Sequence, residues 1–137
     1  MAEPERDIAE LAGRLFDMAR SGDAATLAAY LYAGVPVNLT NGTGDTLVML
    51  AAYHGHLETV RTLTERGADV NRRNDRGQTP LVGAVFKGED DVVELLVAAG
   101  AGPAAGHPTA IDTAQLFGRA RYLELFGAAG PSDPARK

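Results

Sequence analysis

Apolar positions in the middle of the chain recur at helical spacing, in short runs that glycines interrupt. Val60 and Leu63 form one such stripe, and Val93, Leu96 and Val97 form another. Residues three and four positions apart share one face of a helix, so each run predicts a short amphipathic helix. The polar stretches between the runs predict turns.

The pattern repeats with a period of 33 residues. The segment 44–48, GDTLV, matches the segment 77–81, GQTPL, and the register continues to Gly67 and Gly100. A period of this length predicts stacked supersecondary units, each of which buries its apolar face only against its neighbours. Weaker matches extend the pattern on both sides, and the last of them follows a connection that is three residues shorter.

Local signals predict where the helices of each unit begin and end. Thr46 and Thr79 stand where a side-chain oxygen can cap a helix, and Pro80 suits the first helical turn. Gly55 and Gly88 stand where a left-handed residue can close the first helix. Each unit is therefore predicted to hold two helices joined by a tight turn.

The segments 67–71, GADVN, and 77–81, GQTPL, resemble the ankyrin repeat, and 50–58, LAAYHGHLE, follows the same family pattern. The resemblance implies an all-α fold, an ankyrin-repeat α-solenoid of four helix-turn-helix units with degenerate end caps. We expect units at about 7–41, 42–74, 75–107 and 108–130, after a disordered lead at 1–6 and before a flexible tail at 131–137. Polar outer faces at the two ends of a stack explain why its end units are degenerate.

The chain departs from the family pattern at several positions. Met49, Val82 and Asp112 stand where the family has a histidine that bonds adjacent loops. Its loss predicts looser fingers, the connecting loops at 35–45 and 68–78, and a lower stability. The segment 101–108 replaces a third finger and is not expected to form a hairpin.

Composition limits the other possibilities. The chain has 137 residues, a net charge of −5 and no cysteine, which predicts one domain without disulfides or thiolate metal sites. An acidic chain is unsuited to general binding of nucleic acid or anionic membranes. The polar start and the absence of a long apolar run predict a cytoplasmic protein outside the membrane. Few lysines beside many alanines and glycines are typical of GC-rich bacterial genomes.

The resemblance also implies a partner-binding surface, formed by the finger tips and the exposed ends of the first helix of each unit, on the concave side. Carried over by position, the candidate partner-binding residues are Thr43, Asp45, Asp75, Arg76 and Gln78 in the fingers, and Tyr53, His54, Phe86, Lys87 and Phe117 on the helices.

Three aromatic candidates, Tyr53, Phe86 and Phe117, are expected on successive units. Exposed rings flanked by charge are typical of contact hot spots, although the same rings could instead pack between repeats. Each arginine of the second finger is expected to be solvated, unless it meets an acidic partner. His54 and His56 lack a third metal ligand, so a structural role is favoured for His56.

We find no nucleophile with a matching base, and we predict no enzyme activity, no cofactor and no metal site. The expected function is protein–protein interaction by a monomeric module with one protein partner. Two alternatives remain open at this point. One is an inhibitor or immunity-type protein that blocks a specific enzyme or toxin, and the other is an accessory factor for a larger enzyme.

Overall fold

A computed structural model describes residues 3–129 of the chain, with side chains described for residues 8–127. This part contains eight helices and no named strand. In chain order they are α1 Glu3–Ser21, α2 Ala24–Tyr32, α3 Leu47–Tyr53, α4 Leu57–Glu65, α5 Pro80–Lys87, α6 Asp90–Ala98, α7 Ala110–Leu116 and α8 Ala120–Ala129. Successive helices pair into four helix-turn-helix units, which confirms the predicted all-α solenoid.

The ends of the chain differ in part from the expected boundaries. Helix α1 begins at Glu3, so residues 3–6 of the expected lead are helical. The expected tail at 131–137 lies outside the described residues. The segment 101–108 forms turns and takes part in no β-bridge of the described residues.

The helices form two layers. The odd-numbered helices contact one another in order, α1 to α3 to α5 to α7, and we call them the inner helices. The even-numbered helices form the same kind of row, α2 to α4 to α6 to α8, and we call them the outer helices. The two best-matched repeats, α3–α4 and α5–α6, therefore pack directly against each other, as a stacked solenoid requires.

Threonine caps set the start of three inner helices. The side chains of Thr46, Thr79 and Thr109 each accept a hydrogen bond from the backbone N–H three residues further on, at 3.2, 3.4 and 3.0 Å. Because such a cap satisfies a backbone N–H group that has no partner within the helix, all three helices begin at the same point of the repeat. Gly88 ends α5 in the left-handed conformation, with φ of 72°.

The core follows the repeat. Leu27, Val60 and Val93 are equivalent residues of the outer helices, and all three are fully buried. Ala51 and Ala84 occupy equivalent positions of the inner helices and are also fully buried. Small side chains at these positions allow neighbouring inner helices to approach closely. Burial of each large aliphatic side chain contributes about 2 kcal/mol to the free energy of unfolding.

Two acidic residues of the third unit contact the last outer helix. Arg121 of α8 forms salt bridges with Asp90 at 3.0 Å and Glu94 at 2.8 Å. The hydroxyl of Tyr122 also donates a hydrogen bond to Asp90. These contacts attach the last outer helix to α6, while the side chains of Asp90 and Glu94 remain about half exposed.

Replacing Gly83 by alanine should stabilise the protein. Glycine within a helix costs roughly 1 kcal/mol relative to alanine. A Cβ atom at this position would lie 3.4 Å from Cδ1 of Tyr53, which is an ordinary van der Waals distance. Gly83→Ala is therefore expected to raise the melting temperature and the free energy of unfolding by up to about 1 kcal/mol.

Gly88→Ala, five residues away, is the matched control and should lower the free energy of unfolding. Its left-handed φ disfavours alanine, so we expect a loss of about 1 kcal/mol. A clear drop in the melting temperature of Gly83→Ala would contradict the packing described for α5.

Removing the hydroxyl of Tyr122 should weaken the attachment of α8. The side chain is 3% exposed, and burial, followed by the hydrogen bond to Asp90, raises the pKa of Tyr122 to about 12. We expect Tyr122→Phe to lower the free energy of unfolding by about 1 kcal/mol at neutral pH. Tyr32→Phe, at an exposed tyrosine of α2, should leave stability unchanged.

The contribution of Tyr122 should also depend on alkaline pH. Because its pKa is higher in the folded protein than the ordinary value of 10.0, the stabilisation is complete below that value and is lost as the pH rises toward 12. The difference in stability between the wild type and Tyr122→Phe should therefore narrow between these two pH values in denaturation experiments. A constant difference would contradict the assigned contact.

Candidate partner-binding groove

The two fingers end in the same kind of loop. The side-chain oxygen of Asn41 accepts hydrogen bonds from the backbone N–H groups two and four residues further on, at 3.0 and 2.9 Å. Asn74, one repeat later, accepts the equivalent two bonds, both at 3.0 Å. An asparagine that bonds its own backbone in this way stabilises a tight turn.

The fingers are tied to each other and to the loop that follows them. The side chain of Asn74 donates to Asp45 at 2.9 Å, and the N–H of Asp75 donates to the carbonyl of Thr43 at 3.0 Å. The N–H of His107 donates to the carbonyl of Gly77 at 2.8 Å. These bonds link the loops although the family's histidine is missing. The looser fingers expected from its loss stay a prediction. The expected lower stability stays a prediction.

A groove of about 620 Å³ runs between the fingers and the inner helices α3, α5 and α7. Seven of the ten candidate partner-binding residues line it. They are Asp45, Tyr53, His54, Arg76, Gln78, Phe86 and Phe117. The structure thus brings together most of the residues that the family resemblance indicated.

The other three candidates lie outside the lining. Thr43 and Asp75 are at the finger tips, where their backbones form the bond between the two loops. The ammonium group of Lys87 lies 4.9 Å from the centre of the Tyr53 ring, beside the groove. Such a contact between a cation and an aromatic ring is attractive and holds Lys87 at the edge of the groove.

The candidate set missed the apolar floor of the groove. Met49, Val82 and Leu116 line it, and Leu116 is 78% exposed. Met49 and Val82 are the residues that replace the family's histidine, one repeat apart. The period of the sequence could have placed them beside Tyr53 and Phe86, because they lie one helical turn earlier on the same inner helices.

The aromatic candidates are both packed and exposed. Phe86 and Phe117 contact each other edge to face, with ring centres 5.3 Å apart, yet they remain 47% and 45% exposed. Tyr53 is 39% exposed. The two alternatives of packing and exposure are therefore not exclusive: one edge of each ring is held, and the other faces the groove.

The histidines near the groove have different environments. The ring of His56 is 2.7 Å from the carbonyl oxygen of Arg20, through its Nε2 atom, which supports its predicted structural role. Partial burial, and then the charges of His56, Lys87 and Arg20, lower the pKa of His54. His54 therefore loses its proton at a lower pH than an ordinary histidine does. Among the described residues, no three potential ligands come together as a metal site.

Residues 15–106 match the family described as Ankyrin repeats (3 copies). The chain belongs to the ankyrin repeat family. Ankyrin repeats are generally protein–protein interaction modules and typically have no enzymatic activity. No helix in the described range has the length and apolar character that crossing a membrane requires.

A stretch of 60 residues is 50% identical to an ankyrin repeat protein of Pseudomonas aeruginosa. The match covers 42% of this chain and 35% of that protein. The chain thus matches about a third of the length of this relative, and the similarity concerns the repeats.

Asn74→Ala should destabilise the ankyrin repeats more than other changes in the fingers. This side chain makes two hydrogen bonds within its own finger turn through Oδ1 and donates to Asp45 and Gln78 through Nδ2. We expect a loss of about 2 kcal/mol in urea denaturation, because four hydrogen bonds of the finger are lost together, each worth about 0.5 kcal/mol or more. Arg76→Ala, at the tip of the same finger, is the control and should change stability by less than about 0.5 kcal/mol. Equal effects of the two changes would contradict the role assigned to Asn74.

Proposed function

We propose that this ankyrin repeat protein binds a segment of a protein partner in the groove between its fingers and its inner helices. The observation that carries this proposal is the row of half-exposed rings from Tyr53 to Phe117 along a continuous groove. Rings of this kind are common anchors of protein interfaces, because they bury a large area with little loss of side-chain freedom.

The apolar surface of the groove favours a bound partner. Tyr53, Phe86, Phe117 and Leu116 are four of the exposed large apolar side chains of the described chain, and all four line the same groove. Apolar side chains gathered in one patch on a soluble protein indicate an interaction site, whereas single exposed ones do not. Each Å² of this apolar surface that a partner covers contributes about 25 cal/mol to the free energy of binding.

The scaffold keeps this surface in one shape. The inner helices pack on one another through fully buried alanines, and the finger loops are tied by hydrogen bonds. A partner therefore meets a preformed groove and loses little binding energy to ordering it. Polar groups from the fingers, among them Arg76 and Gln78, supply directional contacts along one wall.

The finer assignments stay proposals. A single protein partner, a monomeric state and a cytoplasmic location agree with the family's general role. The roles of inhibitor, immunity-type protein and accessory factor remain alternatives that depend on the partner's identity. The excess of negative charge extends to the groove, whose lining holds two carboxylates, Asp45 and Asp112, and one arginine, Arg76.

The proposal is tested by capturing partners from an extract of the cells that produce the protein. We expect the wild-type protein to retain a specific partner, and Tyr53→Ala and Phe86→Ala each to weaken its retention about tenfold or more. Tyr32→Ala is the matched control, since this exposed tyrosine of α2 lies outside the groove. A partner held equally by both groove variants would contradict the proposed site.

A further inference from the structure

The carboxylates that line the groove outnumber its basic groups. Against Asp45 of the first finger and Asp112 of α7, the lining has one arginine, Arg76 of the second finger. Partial burial lowers the pKa of His54, so this residue adds less positive charge than an ordinary histidine does. The balance has the same sign as the net charge of −5 of the whole chain. A segment that lies in the groove therefore meets a surface that favours positive charge.

The two carboxylates differ in how far the protein itself satisfies them. The Oδ1 atom of Asp45 accepts a hydrogen bond from Asn74 at 2.9 Å, and its Oδ2 atom accepts one from Thr43 at 2.9 Å. Asp112 is exposed and takes part in none of the salt bridges between described residues. Of the two, Asp112 is therefore the carboxylate that a basic group of a partner can reach and pair with.

Asp112 belongs to a row of equivalent positions in the repeat. Met49 of α3 and Val82 of α5 occupy the same place in their units, and both are buried apolar side chains that line the groove. In α7 an exposed carboxylate stands at this place, and Leu116, one helical turn later, is 78% exposed. The floor of the groove is thus apolar along α3 and α5 and carries a negative charge beside apolar surface at α7.

Aromatic rings of the groove already hold cations of the chain itself. The ammonium group of Lys87 lies 4.9 Å from the centre of the Tyr53 ring, and the guanidinium carbon of Arg119 lies 5.9 Å from the centre of the Phe117 ring. Arg119 also donates a hydrogen bond to the carbonyl of Phe86 at 3.1 Å. The faces of these rings therefore attract cations, which adds to the effect of the carboxylates.

We infer that the protein segment bound in the groove is basic as well as apolar: a lysine or arginine pairs with Asp112, and neighbouring apolar side chains pack against Leu116 and Phe86. This inference rests on the proposed function and specifies its partner chemistry. Opposite charges at an interface speed association and fix the register of the bound chain. Arg76 disfavours a further basic residue next to the second finger, so the segment has a single basic position rather than a basic run.

A displayed library of random peptides is the probe for this inference. The library is selected on the wild-type protein and, in parallel, on Asp112→Asn, Asp112→Lys and Phe86→Ala. We expect peptides enriched on the wild type to combine lysine or arginine with aromatic or aliphatic residues. Asp112→Asn should lose the basic preference and keep the apolar one, and Asp112→Lys should favour aspartate or glutamate instead. Phe86→Ala should lose both preferences.

Binding of one enriched peptide then measures the contribution of the charge. Asp112→Asn should weaken binding about two- to fivefold, the range of exposed ion pairs, and added salt should weaken binding to the wild type. Asp91→Asn is the matched control and should leave binding unchanged, since Asp91 is also an exposed aspartate in the first turn of a helix, but on α6 of the outer row.

A reversal of charge on both sides tests the pairing itself. The basic residue of the enriched peptide is changed to glutamate, which should weaken binding to the wild type and strengthen binding to Asp112→Lys. A merely structural role of Asp112 at the start of α7 would not produce this exchange of preference.

The outcomes separate this inference from the proposed function. Peptides that need Phe86 but show no basic preference would overturn the inference and leave the groove as a protein-binding site. An equal loss of binding in Asp91→Asn would also overturn it, because the charge of the whole chain would then explain the preference. Enriched acidic peptides whose binding falls in Arg76→Gln would assign the opposite chemistry to the groove. Peptides that bind equally to Phe86→Ala would overturn the proposed function itself.

Discussion

The close packing of successive inner helices is the constraint on which the rest of the structure depends. Ala51, Ala84 and Ala114 are fully buried where these helices meet, and larger side chains there would push the units apart. The distance between neighbouring helices sets the distance between neighbouring fingers. It therefore also determines whether a side chain of one finger can reach the next.

The bonds between the fingers follow from that spacing. Asn74 spans from its own turn to Asp45 of the preceding finger because the two loops are equivalent and closely stacked. The same stacking holds Phe86 and Phe117 edge to face on adjacent units. The same repeat thus explains both the polar wall of the groove and the row of aromatic rings along it. The family role, binding of proteins, agrees with a surface that is rigid without the partner.

The sequence predicted the fold because its signals are local and repeated. Thr46 and Thr79 mark helix starts by capping, and their separation of 33 residues gives the stack directly. The groove was predicted only in part. Tyr53 and Phe86 followed from the family resemblance. Met49 and Val82 were not among the candidates, although they lie one helical turn earlier on the same helices.

Contacts between units were the least predictable part. Nothing in the sequence near Asp90 indicates that Arg121 and Tyr122, some thirty residues later, will bond to it. Likewise, the loss of the family's histidine suggested looser loops, because the bond from Asn74 to Asp45 depends on the distance between two fingers. Such pairs join positions whose separation is fixed only after the helices have packed.

The identical turns at Asn41 and Asn74 have a consequence for how such a chain can change length. Asp45 of the first finger accepts a hydrogen bond from Asn74 of the second. One period of the repeat therefore contains the acceptor of one finger and the donor of the next. Duplication of the complete period between these two fingers repeats the same donor and acceptor, so an added finger can bond to its neighbours in the same way. Gene-level gain of units can therefore lengthen the recognition surface without redesign of the contacts that hold it together.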